Sequence, residues 1–305
     1  MAANPDAPYL QLQHCHDGIW YTNFCLDSSI DNAKNFEVRP DDVFIITYPK
    51  SGTHWMMEIM GLILSDGHLE KVDRSLLTSA LEMINMDQTF PKSKEEEAKN
   101  PVDMSPFMEI LDKAPSPRVI VSHLRKDRFP KDLLQKAKVI YIARNPKDVV
   151  TSWYNFLGKS PFLTFTWEEN FKAFLDGKTA WGPWPEHVKE FWKVREEPNL
   201  LFLFYEDMLK DPLEHIRQVA NHVGRPLSEE ALQRVVANSS IKQMKKTYEG
   251  VAEQKKEGNM LVELKFLAKG VSGRWKNFFT VAQNEEFDDW YAKQMSGIDI
   301  PVTFE

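Results

Sequence analysis

The stretch Val43-Phe-Ile-Ile-Thr-Tyr-Pro-Lys-Ser-Gly-Thr-His-Trp55 decides how this chain folds. A short apolar run enters a Pro-Lys-Ser-Gly turn and a helix-like sequence leaves it, which reads as strand, tight loop and helix start. Together those parts can hold an anion. Amides at a helix start point outward unpaired, the helix dipole adds partial positive charge, and Lys50 adds a full one. Gly52 lets the backbone curl close to a ligand, and Thr53 can offer its hydroxyl. Behind the loop, Trp55, Met56, Ile59, Met60 and Ile63 recur at helical spacing and pin it to a core. The same letters also fit an ordinary strand-to-helix connection that binds nothing.

Residues 118–122, 139–143 and 200–205 are apolar runs of the same kind, and with 43–47 they suit buried parallel strands. Helix-like segments at 55–64, 147–156, 185–194, 212–222 and 229–237 lie between and after them. That alternation predicts one α/β domain with a mostly parallel central sheet flanked by helices. Ligands of such sheets gather beyond the carboxyl ends of the strands, where Lys50, His123 and Arg144 all fall. Residues 1–15 are expected to be a flexible N-terminus. Residues 249–273 combine mixed charge with Gly250, Gly258, Gly270 and Gly273, which suggests a mobile loop that orders over a ligand.

A formal charge of −7 and an isoelectric point near 5.7 weigh against nucleic acid or an anionic membrane as the main partner. A polyanionic small ligand then needs cations gathered locally. Cys15 and Cys25 are too few for a disulfide framework. The N-terminus lacks the pattern of a secretory signal, and no apolar run approaches the roughly 20 residues that span a bilayer. The expectation is a cytoplasmic protein.

Three elements carry the chemistry. The opening loop is not a Gly-x-x-x-x-Gly-Lys-Ser/Thr loop, because Lys50 precedes the glycine and the first glycine is missing. Glu206 and Asp207 follow the last apolar run and could serve magnesium, or simply cap an exposed helix start. In Tyr141-Ile-Ala-Arg-Asn-Pro-Lys-Asp-Val-Val-Thr-Ser-Trp-Tyr-Asn-Phe156, an arginine leaves a strand end and Ser152 lies one to two turns into the next helix. Arg144 offers a planar fork for a phosphate and Ser152 one directed hydrogen bond, though Arg144 could instead cap the strand end in a salt bridge and Ser152 be scaffold. In Lys269-Gly-Val-Ser-Gly-Arg-Trp-Lys-Asn-Phe-Phe-Thr280, glycines interleaved with cations suit a loop folding onto a phosphate, or a plain basic turn.

In this order and at these separations, with Leu203-Phe-Tyr-Glu-Asp207 and Asn238-Ser-Ser-Ile-Lys242, the elements resemble the cytosolic sulfotransferases from about residue 41 to residue 285. The resemblance implies a single domain with a nucleotide-kinase-like, P-loop-type core. It also implies transfer of a sulfuryl group from 3′-phosphoadenosine 5′-phosphosulfate (PAPS) to a hydroxyl or amine of a small apolar acceptor such as a steroid, alcohol or phenol, with no metal required. Lys50, Ser51, Gly52, Thr53 and His54 then hold the 5′-phosphosulfate, and Arg144, Ser152, Lys269 and Gly270 the 3′-phosphate. Trp55, Tyr205, Ser239 and Ile241 lie where the family contacts adenine. His123, in Val121-Ser-His-Leu124, matches the family's general base; Lys50 assists the leaving group, and Ser152 restrains Lys50. The other classes open to the sequence are a nucleotide-binding phosphotransferase and a nucleotide-binding protein with weak catalysis.

The chain departs from the family pattern in places. Val121 replaces a frequent lysine, His54 a threonine or asparagine, Ile241 a phenylalanine, Ala268 an arginine and Arg274 an aspartate. Arg274 is near enough in sequence to supply the cation that Ala268 lacks. Trp20, Tyr21, Phe24, Phe156 and Tyr248 are candidates for the acceptor pocket and equally for plain core. Lys276-Asn-Phe-Phe-Thr-Val-Ala-Gln-Asn-Glu285 matches the family's dimer motif, so Lys276, Thr280, Val281 and Glu285 are expected to pair two copies about a two-fold axis.

Overall fold

In the computed structural model, residues 13–74, 80–84, 105–157, 165–255 and 270–304 are described. They open with an antiparallel hairpin, β1 (Gln13–His16) and β2 (Ile19–Thr22). Asp17 and Gly18 turn it, with φ of +50° and +76°, the backbone that suits a two-residue hairpin turn. Residues 13–15, expected within a flexible N-terminus, are paired strand, and residues 1–12 lie outside the described residues.

The four apolar runs form β3 (Val43–Thr47), β4 (Val119–Ser122), β5 (Lys138–Ala143) and β6 (Leu200–Phe204). They make one parallel sheet in the order β4-β3-β5-β6. The helices are α1 (Asp27–Asn32), α2 (Thr53–Leu64), α3 (Phe107–Lys113), α4 (Leu133–Lys136), α5 (Pro146–Leu157) and α6 (Trp167–Leu175). After them come α7 (Trp184–Trp192), α8 (Tyr205–Lys210), α9 (Pro212–His222), α10 (Glu229–Asn238), α11 (Ile241–Lys255) and α12 (Val281–Gln294). Helix α11 runs through Lys255, so residues 249–255 of the expected loop are helical, and residues 256–269 lie outside the described residues. Met244 and Tyr248 pack against Trp55 and Ile241, and that burial holds the helix in place through Tyr248. No helix among the described residues is long and apolar enough to cross a membrane.

Strand alternation explains why the sheet carries helices on both sides. Val43 and Ile45 of β3, with Ile140 and Ile142 of β5, join a core that includes Met56, Ile59 and Met60 of α2, Val219 of α9 and Val235 of α10. Phe44 and Ile46, with Val139 and Tyr141, face the other way and meet Val149 of α5, Phe171 of α6, Phe191 of α7 and Phe287 of α12. All five β3 residues are buried, which is why the run shows no polar alternation. A fully buried fork from Arg118 to Asp42, at 2.5 and 2.7 Å, ties the start of β4 to the start of β3.

Candidate active site

Chain order reverses across β3. The chain goes from β3 to one neighbour, β4, then crosses to the other, β5. A crevice opens at such a switch point beyond the strand ends. Lys50 follows β3, His123 follows β4 and Arg144 follows β5, so all three candidates stand at this crevice.

Register positions His123. Ile46 lies opposite Ser122, which makes Thr47 and His123 the next neighbours. His123 Nδ1 is 2.9 Å from the Thr47 carbonyl oxygen, and only an N–H can bond that acceptor. Nδ1 thus carries the proton, and Nε2 keeps its lone pair. Thr47 Oγ1 is 3.2 Å from Nδ1 and 2.7 Å from Thr53 Oγ1, so one buried threonine links the histidine to the start of α2. Burial pushes the His123 pKa below its usual 6.5, Lys50 pushes the same way, and Glu82 and the Thr47 carbonyl pull back. His123 is neutral at physiological pH.

The loop before α2 is an anion cradle. Lys50 has φ +70° and Gly52 φ +109°, and no side chain caps the helix start, so its first amides face outward. Ser51 Oγ is buried without a hydrogen-bond partner among the described residues, a polar atom left for a ligand. Lys50 Nζ sits 4.0 Å above the Phe156 ring. Burial, Lys50 and then His123 hold the His54 pKa down to about 3, so the residue that departs from the family pattern is a neutral hydrogen-bonding group. A Cβ on Gly52 would come within 2.8 Å of Tyr205 Cδ2 at a φ that disfavours side chains. Gly52→Ala is therefore expected to destabilise the fold by about 1–3 kcal/mol and to lower nucleotide affinity at least tenfold, as measured by denaturant melts and calorimetric titration.

Arg144 does more than cap a strand. Its Nη1 donates to the Lys50 carbonyl at 2.9 Å, Nη2 lies 3.4 Å from the Val271 carbonyl, and its guanidinium stacks 4.5 Å from the Tyr205 ring centre. It thereby joins the cradle to the turn at 270–275, while its buried Nε has no partner among the described residues. Asp148, on α5, fixes the same turn by accepting from Ser272 Oγ, Gly273 N and Trp275 N at 3.0, 2.7 and 3.0 Å. Gly270 packs so tightly on Ile241 that a Cβ there would sit 3.1 Å from the Ile241 Cβ. Trp55 meets Tyr205 edge-on at 5.6 Å and, like Ile241, packs against Met244 and Tyr248, and Ser239 is buried at the end of α10. Lys269 and Ala268 lie outside the described residues. Arg274 has no hydrogen bond or ion pair among the described residues, leaving its cation available beside Gly273.

Ser152 is half-buried on α5 and makes no bond to Lys50 among the described residues; Lys50 has the Phe156 face instead. Tyr248 donates to Glu58 and packs with Trp55, Ile241 and Met244, which groups it with the Trp55 end of the site. Tyr21 is buried core and Phe24 is exposed, while Trp20 and Phe165 pack against Ala173. Sequence reasoning missed Thr47, Glu82, Asp148, Trp181 and His187. Trp181 lies 5.0 Å, edge-on, from the His123 ring, with φ +66°, and no short motif marks it. Glu206 takes the Asn145 amide and is buried, with its pKa raised to about 7 by that burial, and Asp207 pairs with Lys210. Glu206 is thus turned into the fold, whereas the Asp207 side chain is exposed beside Lys210.

A lysine-and-helix-start cradle at the switch point of a parallel sheet, with a neutral histidine on the next strand, defines a nucleotide-dependent group-transfer site. A sulfotransferase domain profile matches residues 40–299, and the chain belongs to the sulfotransferase family. It is 40% identical over 278 residues to mouse sulfotransferase 1A1, covering 89% of this chain and 90% of that one. Its fold is similar to mouse sulfotransferase SULT7A1 complexed with PAP, with a TM-score of 0.76, 29% identity, and 94% and 95% of the two chains covered. It is also similar to retinol dehydratase in complex with androsterone and the inactive cofactor PAP, with a TM-score of 0.81, 26% identity, and 98% and 96% covered. The chain is a sulfotransferase.

Proposed function

We propose that this enzyme moves a sulfuryl group from PAPS to the hydroxyl or amine of a small apolar acceptor, with His123 as general base. One observation carries the reading: the Thr47 carbonyl fixes the proton on Nδ1 of His123, which leaves Nε2 as a base beside an anion cradle. The orphaned Ser51 Oγ and Arg144 Nε and the uncapped start of α2 fit the phosphates of such a donor. PAP in the structures of two relatives supports the same donor.

When bound, PAPS supplies the sulfuryl group, whose sulfur gains a bond to the acceptor as its bond to the bridging phosphate oxygen breaks. His123 Nε2 takes the acceptor proton as that bond forms. Lys50 neutralises the charge left on the bridging oxygen. Ser51, Gly52, Thr53 and His54 line the cradle, and Arg144, Gly270 and Lys269 serve the 3′-phosphate. Trp55, Tyr205, Ser239 and Ile241 receive the adenine, with Ser152 beside the phosphate. Val121, in place of a lysine, tilts the acceptor towards aliphatic alcohols, including steroids.

A panel of alcohols, steroids, phenols and amines with labelled PAPS tests the reading. Transfer to at least one acceptor in excess chelator is the expected result. Bisphosphate binding with no transfer to any acceptor, or transfer that needs magnesium and a nucleoside triphosphate, would sink it.

The enzyme works in the cytoplasm as a homodimer in this reading. Val281 is 77% exposed at the first position of α12, after a Thr280 cap, and Lys276 and Glu285 are exposed around it. Val281→Glu is expected to convert a dimer to an active monomer, seen as halved mass by light scattering.

A further inference from the structure

Glu82 is fully buried and lies in no motif that names the site. Its Oε1 accepts from the backbone N–H of His123 at 3.0 Å and from the indole Nε1 of Trp181 at 2.8 Å. Its Oε2 accepts from Ser122 Oγ at 2.8 Å, and that hydroxyl in turn accepts from Leu124 N. One carboxylate therefore holds the peptide before His123 directly, the peptide after it through Ser122 Oγ, and the tryptophan that meets the histidine ring edge-on at 5.0 Å. On the far side, His187 Nε2 donates to the His123 carbonyl at 3.0 Å, with its Nδ1 satisfied by Tyr141. The base is thus clamped through its backbone from two sides by buried side chains.

Trp181 makes the clamp informative. A tryptophan at φ +66° is strained, and strain of this kind persists only where surrounding bonds over-determine it. Here they are the indole bond to Glu82 and the bond from Trp181 N to the Trp20 carbonyl at 2.6 Å. Trp153 stands edge-on to Trp181 at 6.5 Å, and Phe156 continues that wall to Lys50.

We propose that Glu82 is the positioning residue of this active site, fixing His123 and the Trp181 wall relative to each other so that an acceptor resting against that wall meets Nε2. This inference rests on the reading of His123 as the base. Glu82 touches no reacting atom. It acts through geometry and through its charge, which opposes burial and Lys50 at the His123 ring; the neighbouring His54 and His187 are held neutral, with pKa values pushed down to about 3.

Two substitutions separate geometry from charge. Glu82→Gln keeps an acceptor for His123 N and the indole and can donate to Ser122 Oγ, but it removes the charge. Its acid limb of kcat/KM is expected to move about one unit to lower pH, with kcat down only severalfold. Glu82→Ala removes the clamp and is expected to lower kcat about 30- to 100-fold, raise the acceptor KM, and leave PAP affinity within about threefold. An unmoved acid limb in Glu82→Gln overturns the proposal, as does a folded Glu82→Ala with kcat within twofold of wild type. If Glu82→Ala fails to fold, the limb of Glu82→Gln decides alone. His123→Ala run in parallel distinguishes the failures: an active His123→Ala removes the base reading and this inference with it, whereas an inactive one beside wild-type Glu82 variants removes only this inference.

Discussion

His123→Ala lowers kcat by about a thousandfold, within the range a positioned general base supplies, while PAP affinity stays within about threefold of wild type. The expectation comes from which lone pairs are present. Nδ1 is committed to the Thr47 carbonyl, so Nε2 is the one basic atom of that ring. Lys50 is a cation and cannot accept a proton. His54 is neutral, but a pKa of about 3 makes it a far weaker base, so it does not substitute. The loss should be largest for aliphatic alcohols and smaller for acidic phenols, which part with their proton unaided. The wild-type pH profile follows from the same group. His123 works only when neutral, so activity falls as pH drops through a pKa that lies below 6.5. Steady-state rates at saturating acceptor, with calorimetric titration of PAP, check both points. A kcat within tenfold of wild type for an alcohol acceptor would assign the base to another group.

Much of this was legible because the sheet is parallel and buried. Residues 43–47 and 139–143 are continuous apolar runs, and β3 and β5 fall within one residue of them, since both faces of those strands need apolar side chains. The polar residues ending those runs were legible for the same reason: a cation after a buried strand has to face the crevice. The hairpin β1–β2 was missed although Asp17-Gly18 is a strong two-residue turn signal, because its strands are only four residues long and β1 is polar. Glu82 and Trp181 were illegible for a different reason. Their roles depend on contacts across 41 and 99 positions of sequence, and spacing within a motif carries no trace of such contacts. Arg144 was half legible. Its place at a strand end was clear, but its bond to the Lys50 carbonyl was not.

Lys50→Ala is expected to lower kcat about 100- to 1,000-fold with every acceptor alike. Uniformity across acceptors is the discriminating feature, because Lys50 acts on the leaving side and His123 on the attacking side. As the bond to sulfur breaks, negative charge grows on the bridging oxygen. An ammonium in a site shielded by Phe156 stabilises that charge more than the ground state, where it is spread over the phosphosulfate. Donor affinity should fall less than kcat, since the helix start, Ser51 and Thr53 remain. The fold should survive, because Arg144 grips the backbone carbonyl of Lys50 and not its side chain. The left-handed φ at this position already tolerates a side chain, so alanine adds no new strain. Lys50→Arg should recover part of the rate by restoring charge, but not all of it, because a planar fork cannot place its charge where a point ammonium does. If Lys50→Ala raised the donor KM and left kcat near wild type, the lysine would be a binding group that holds ground state and transition state equally, and the charge on the leaving oxygen would have to be met by the amides at the start of α2.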